Sequence, residues 1–309
     1  MKSILLMVNS LLLILMMLIS VAFLTLMERK ILGFMQIRLG PNKIGPMGII
    51  QPISDAIKLY TKEYNKPMIS NKLMMFFFPV LSLFLSLVSW IFMPYLNKIF
   101  IMNIMFILLM FILGLGVYST LFMGWVTNSN YSNIGSIRSA AQTISYEISL
   151  SFIIMPIFII SLSMNFKQVM NLQMIHWNLM ISPIFFMWLL SCLAELNRTP
   201  FDLAEAESEL VSGFNTEFSG GKFAMIFMAE YTMIMFLSML TTIMFLGVTK
   251  IKIIMFLFST STMFFIIWAR ATLPRIRYDK LMMLTWLTLL PSALLMNMIF
   301  PMMMTMLKI

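Results

Sequence analysis

The chain has 309 residues, 61% of them hydrophobic and 11% charged, with a formal net charge of +9 and a mean hydropathy of +0.94. A soluble domain averages about 45–50% apolar and about 25% charged residues, so a soluble globular enzyme is excluded. The apolar residues come in long runs rather than alternating with polar ones, which speaks against a β-barrel. The expectation is an all-α polytopic membrane protein, one integral membrane domain over 1–309, with about eight transmembrane helices of about 20 residues each.

In chain order the apolar runs fall near 3–27, 73–95, 99–123, 143–164, 177–196, 222–248, 252–270 and 281–306. The first is too long for a signal-peptide core and has no small-residue cleavage site behind it. No Arg- and Ser-rich presequence precedes it, so synthesis inside an organelle or direct insertion into a bacterial membrane is expected. Numbering the connections one to seven, fifteen of the 21 Lys and Arg fall in the odd ones and six on the termini and the even ones. By the positive-inside rule the odd connections face the cytoplasm, or the matrix of a mitochondrion. The positive charge is therefore mostly topology, and no basic soluble domain exists to bind nucleic acid.

The first connection, within 28–72, carries ERKILGFMQIRLGPNKIGPMGIIQPISDAIKLYTKE. Gly40-Pro41 and Gly45-Pro46 mark turns. From Ile49 to Tyr60, apolar residues at 49, 50, 53, 56, 57 and 60 form a helical stripe opposite Asp55 and Lys58. That pattern predicts an amphipathic helix at the interface. In the third span, Gly114-Leu115-Gly116 lacks the third glycine and the strand–helix setting of a dinucleotide fold, and reads as close helix packing.

All twelve acidic residues lie in or beside odd connections. Local neutralisation of inside bases covers Asp55, Glu63 and Asp279. It does not cover Glu147 or Glu230, which fall inside apolar stretches, where a charge at mid-membrane costs about 2.5–3.5 kcal/mol on insertion scales. With Glu195, which ends a span, they suggest a proton relay or ligand site; satisfied helix-packing carboxylates are the bland alternative.

The fifth connection, acidic and within 195–221, is the densest polar segment. Thr199-Pro200-Phe201-Asp202 predicts a helix start, with Thr as N-cap and Pro in the first position, and Gly213 a stop. Glu205 and Glu209 then share one face, with Glu207 roughly opposite. Like charges at that spacing repel, so the arrangement asks for protonation, a cationic partner, or both. Arg198 is expected within reach of Asp202, in a buried polar network rather than a solvated loop helix.

One histidine, His176, and one cysteine, Cys192, cannot supply the thiolates of an iron–sulfur cluster or the axial ligands of a haem. No metal or redox centre and no internal disulfide are expected. His176 beside Trp177 suits an outer interfacial position.

The first-connection segment above, together with GWVTNSNYSNIGSIRSAAQTISYEIS, AELNRTPFDLAEAESELVSGFNTEFSGGKFAMIFMAEY and RATLPRIRYDKLM, closely resembles the chain-1 membrane-subunit family of NADH–ubiquinone oxidoreductase, respiratory complex I. These segments cover about a third of the chain, and their order with the eight-run layout extends the likeness to its whole length. The 37 methionines look like those of a mitochondrially encoded member from an AT-rich genome in which AUA is read as methionine. The resemblance implies a multi-pass protein of the mitochondrial inner membrane, with its odd connections facing the matrix. It implies ubiquinone as substrate, and iron–sulfur clusters and FMN held only by partner subunits. The implied partners are the hydrophilic quinone-module subunits, the antiporter-like membrane subunits and membrane lipids. By the same resemblance, Glu28, Arg29, Arg38, Ala56 and Phe227 line a quinone tunnel, with Arg270, Arg275 and Arg277 near its inner side. Glu147, Glu195, Asp202, Glu205, Glu207, Glu209, Glu217 and Glu230 form the start of a charged path toward proton pumping, and Arg138 and Arg198 are its counter-charges.

Read from the residues alone, a stand-alone secondary transporter or cation channel also uses membrane carboxylates. It predicts an internal repeat with matching broken helices, and no such repeat is found in the sequence. A purely structural membrane anchor would not justify the cost of embedding Glu147 and Glu230.

Overall fold

In hydrocarbon every backbone N–H and C=O needs an internal partner, and the long apolar runs meet that requirement as helices. The computed structural model of the chain describes residues 2–64, 67–94, 104–172, 182–203, 213–246 and 252–307. Its helices are α1 (Lys2–Met35), α2 (Gln51–Thr61), α3 (Met74–Ile91), α4 (Met105–Thr127), α5 (Asn130–Ser161), α6 (Phe166–Leu172), α7 (Ser182–Glu195), α8 (Gly221–Thr241), α9 (Lys252–Thr272), α10 (Tyr278–Met283) and α11 (Leu290–Leu307). A π turn, Thr242–Leu246, continues α8, and another, Leu284–Leu289, joins α10 to α11. Among the described residues seven helices are long and apolar enough to cross a membrane; α7 is a shorter apolar helix. The residues before it, 173–181, include His176 and Trp177 and lie outside the described residues.

Two helices, α5 and α8, sit at the centre. α5 packs against α4, α7 and α11; α8 packs against α3, α9 and α1. On α5 the buried Leu150, Ile153, Ile154 and Ile157 recur at helical spacing, the core-facing stripe that such a helix needs. They join one core with Trp188 of α7 and Phe236 of α8. Trp90 of α3 meets Phe236 edge-on, with centroids 6.0 Å apart, and donates its indole N–H to the Thr232 carbonyl at 3.2 Å. By contrast α1 shows most of its apolar face to the outside, as lipid-facing helices do.

The sequence reading places the start of the fourth span near 143, yet α5 begins at Asn130. The polar stretch Asn130–Gln142 is helical because its small hydroxyls serve the helix itself. Ser136 donates to the Asn133 carbonyl at 3.0 Å and Ser139 to that of Ser136 at 2.9 Å. These small side chains also allow close approach: a side chain on Gly124 of α4 would run into Ser136, and one on Gly135 would run into the backbone at Gly213.

The amphipathic helix α2 buries only Pro52. It is held at two ends. Near its start Asp55 pairs with Arg29 of α1. Past its last turn, a side chain on Gly220, at φ +61°, would stand 3.2 Å from the Lys62 carbonyl, and one on Gly221 would stand 3.1 Å from the Tyr64 hydroxyl.

Candidate functional site

The polar ends of α1, α7, α8 and α9 meet around Glu28, which is 5% exposed. Tyr231 of α8 donates its hydroxyl to Glu28 Oε2 at 2.6 Å. Arg270, in the last turn of α9, pairs with Oε1. Arg198, just past α7, brings Nη1 to 3.6 Å from the same oxygen and Nη2 to 3.6 Å from Glu230 Oε2. Its guanidinium also lies over the Tyr231 ring, 4.9 Å from the centroid. Burial alone works against the charge of Arg198, but Glu230, Tyr231 and Glu28 outweigh it and hold the group more firmly protonated than usual. The four groups Glu28, Arg198, Arg270 and Glu230 are formally balanced, the condition under which charges survive burial.

Residues Arg198–Leu203 form turns, so the helix start expected at Thr199 is not seen there, and the rest of the expected helix, 204–212, lies outside the described residues. The acceptors of the turn segment are committed elsewhere: the Pro200 carbonyl accepts from Ile276 N–H at 2.9 Å, and the Phe201 carbonyl from the Gln142 side-chain amide at 2.8 Å. The same amide donates to the Ala194 carbonyl at 2.9 Å, and Thr199 donates to the Arg270 carbonyl at 3.2 Å. The fifth connection is thereby stapled to the seventh and to α5. Asp202, buried, pairs with Arg275 at 3.2 Å, while Arg198, its expected partner, goes to Glu28 and Glu230.

Glu230 and Glu195 both open on a cavity of about 130 Å³ lined by α3, α4, α5, α8 and the end of α7, wide enough for several waters. Glu195 Oε2 and Asn197 Oδ1 are buried there with no hydrogen-bond partner among the described residues. Glu147 lies half-buried on α5, its carboxylate seated on α4 at Gly114, where a Cβ would stand 2.8 Å from Oε1. Glu147 and Glu195 are close enough to interact electrostatically. The chain thus brings Glu28, Arg198, Glu230, Glu195 and Glu147 into one neighbourhood.

Other expected site residues lie around it. Phe227 stands on α8 in an aromatic ladder, with centroids 4.3 Å from Phe223 and 6.4 Å from Tyr231; the ladder ends at Glu28. Arg29 is exposed beside Asp55, Ala56 is exposed on α2, and Arg38 is exposed in the loop after α1. Arg277 is exposed and pairs with Asp279 at 2.9 Å. Arg138 is half-buried on α5, and Glu217 is half-buried in the turn after Gly213–Asn215. Glu205, Glu207 and Glu209 lie outside the described residues. Among the described residues no group of three or more His, Cys, Asp or Glu is placed to hold a metal ion.

Tyr231, Gln142 and the glycines 114 and 116 were not singled out by the sequence as functional. Tyr231 sits beside Glu230, and a buried aromatic hydroxyl next to an embedded carboxylate was the available signal.

A family model described as NADH dehydrogenase matches residues 8–301. The chain is similar to NADH-ubiquinone oxidoreductase chain 1 of Aedes aegypti, 50% identical over 288 residues that cover 93% of this chain and 92% of that one. The protein of the same name from Locusta migratoria is 50% identical over 287 residues, 93% and 91% of the two chains. That of Phascolarctos cinereus is 46% identical over 285 residues, 90% of each.

Proposed function

Since the chain belongs to the NADH dehydrogenase family, we propose that it is the membrane subunit that ends the quinone-binding tunnel of a proton-pumping NADH:ubiquinone oxidoreductase and begins the charged path toward the pumps. The observation that carries this reading is the Glu28–Arg198–Glu230 network, which joins the aromatic ladder of Phe223, Phe227 and Tyr231 to the cavity holding Glu195 and Glu230. An aromatic ladder ending in hydrogen-bonding groups suits a flat, apolar quinone with polar carbonyls.

On this reading ubiquinone enters from the bilayer between α1, α2 and the start of α8. Glu28, Arg29, Arg38, Ala56 and Phe227 line its way, with Arg270 and Arg275 on the inner side and Arg277 at the exposed rim. Electrons come from an iron–sulfur cluster in a hydrophilic partner subunit, fed by FMN in another. When electrons reach the quinone ahead of the equal number of protons that complete the quinol, the charge beside Glu28 becomes more negative until those protons arrive. The change passes through Arg198 to Glu230, then Glu195 and Glu147, and biases the antiporter-like membrane partners. Asp202, Glu217 and Arg138, with Glu205, Glu207 and Glu209, complete the acidic path. The location is the mitochondrial inner membrane, among membrane lipids, with the odd connections facing the matrix.

The test is photo-crosslinking of the intact complex with an azido-ubiquinone, followed by peptide mapping. Label on 28–63 or 222–231, displaced by excess quinone, is the expected result. Label confined to other subunits overturns the tunnel reading for this chain.

A further inference from the structure

We propose that Gly114 and Gly116 of α4 keep the proton passage between the Glu195–Glu230 cavity and Glu147 open, so that side-chain size at position 116 sets how readily protons cross. The proposal rests on reading these carboxylates as a proton path.

The three glycines of α4 behave differently. Gly124 is required by packing, since a side chain there would strike Ser136. Gly114 makes room for a carboxylate: its bare backbone is the seat on which Glu147 rests. Gly116 does neither. It lines the cavity, and a Cβ added to it would meet nothing within 4 Å. Glycine is a poor residue in a helix interior compared with alanine, and no neighbour here demands it. What its lack of a side chain supplies is space.

That space is lined for proton carriers. Ser82, Ser86, Ser119 and Thr120 of the cavity wall each turn their hydroxyl hydrogen back to a carbonyl of their own helix, leaving the oxygen as an acceptor. Glu195 Oε2 and Asn197 Oδ1 are acceptors without a donor among the described residues. A wall rich in acceptors favours molecules that bring hydrogens, such as water carrying an excess proton. Protons leave Glu230 or Glu195 for that water and enter Glu147 beyond it, with no covalent change in α4.

A Cβ at position 116 enters this space without meeting a neighbour, so side chains of increasing size there narrow the path. The experiment is a size series, Gly116→Ala, Gly116→Val and Gly116→Leu, in the assembled complex. It is read by NADH:ubiquinone turnover, proton translocation in sealed vesicles and azido-ubiquinone labelling. The expected result is a stepwise fall with side-chain volume, roughly tenfold with Leu against the about 10²–10⁴-fold that a positioned acid or base contributes, with labelling of 28–63 and 222–231 unchanged. Leu at 116 with wild-type turnover and pumping overturns the proposal. So does a fall accompanied by loss of labelling, which would mean that the change acts through the quinone site. If the Leu variant does not assemble, Gly116→Val is read in its place with the same outcomes.

A Glu147→Gln background separates the layers. Where Glu147→Gln lowers pumping to a measurable residual, adding Gly116→Leu is expected to lower it no further; a second fall by the same factor as in the wild-type background marks a merely structural effect and overturns the role proposed for Gly116. If Glu147→Gln leaves pumping intact, the proton-path reading itself falls. If Glu147→Gln lowers pumping and Gly116→Leu does not, only the role given to the glycines falls.

Discussion

Arg198 shows how one side chain can serve two carboxylates that the sequence keeps far apart. It is 8% exposed and stands between Glu28 and Glu230, each 3.6 Å away. Removing one partner from a buried ionic cluster costs about 3–5 kcal/mol, because the charges left behind remain desolvated. Arg277, paired with Asp279 at a side-chain exposure of 78%, belongs to the class of exposed pairs worth about 0–1 kcal/mol. Arg198→Met is therefore expected to lower the thermal stability of the solubilised complex strongly, while Arg277→Ala leaves it nearly unchanged. Equal effects would refute the assignment of Arg198 as the hub. Tyr231→Phe removes only the hydroxyl donated to Glu28, and the expected loss, about 1.5–3 kcal/mol for a hydrogen bond to a charged group, lies between the two. The candidate acids were legible in the sequence because carboxylates inside apolar runs are costly. Their pairing was not. Asp202 seemed the natural partner of Arg198 at four residues' distance, but the ion pairs that form at Glu28, Glu230 and Asp202 join residues tens to hundreds of positions apart, and a single sequence holds no record of such proximity.

At the scale of the helix, α5 carries a second polar device, remote from the acids. Pro156 lies inside it and has no N–H to give the carbonyl four residues back. That carbonyl belongs to Phe152, and Asn297 of α11 donates its side-chain amide to it at 3.0 Å. Hydrogen bonds between membrane helices are worth about 0.6 kcal/mol on average and about 1.7 at most. Asn297→Leu should cost an amount in that range. In a Pro156→Ala background, where the helix supplies its own donor, the same substitution should cost little. A double-mutant cycle by thermal denaturation checks this, and additive losses would show that the amide serves some other purpose. α2 was legible almost to its ends, since its apolar stripe over 49–60 has only a helical solution and the helix runs Gln51–Thr61. The first three turns of α5 were not, because serines, asparagines and a glycine read as a connection until their hydroxyls are seen bonding back into the helix. The turn at Thr199–Asp202 failed in the opposite sense: its cap-like residues are used by Ile276, Gln142 and Arg270 instead.

Across the whole molecule, charge and burial are distributed along one axis. The ends of α1, α7 and α9 that carry Glu28, Glu195 and Arg270 gather at one side, and the start of α6, with the exposed Lys167, lies at the opposite end of α5 from Arg138. On the reading proposed above, the excess of bases on the odd connections would orient the first side toward the matrix. The orientation can be measured cleanly because the one cysteine, Cys192, is buried in α7 and gives little background to a thiol reagent. In mitoplasts treated with a membrane-impermeant maleimide, Lys167→Cys should be labelled from outside. Arg277→Cys, exposed in this chain and on the side proposed to face the matrix, should be labelled only after the membrane is permeabilised. Labelling of Arg277→Cys in sealed mitoplasts, with Lys167→Cys protected, would invert the topology. The acidic neighbourhood of Glu28, Glu195 and Glu230 would then open to the intermembrane space, on the side away from the hydrophilic subunits that the proposed quinone chemistry needs beside it.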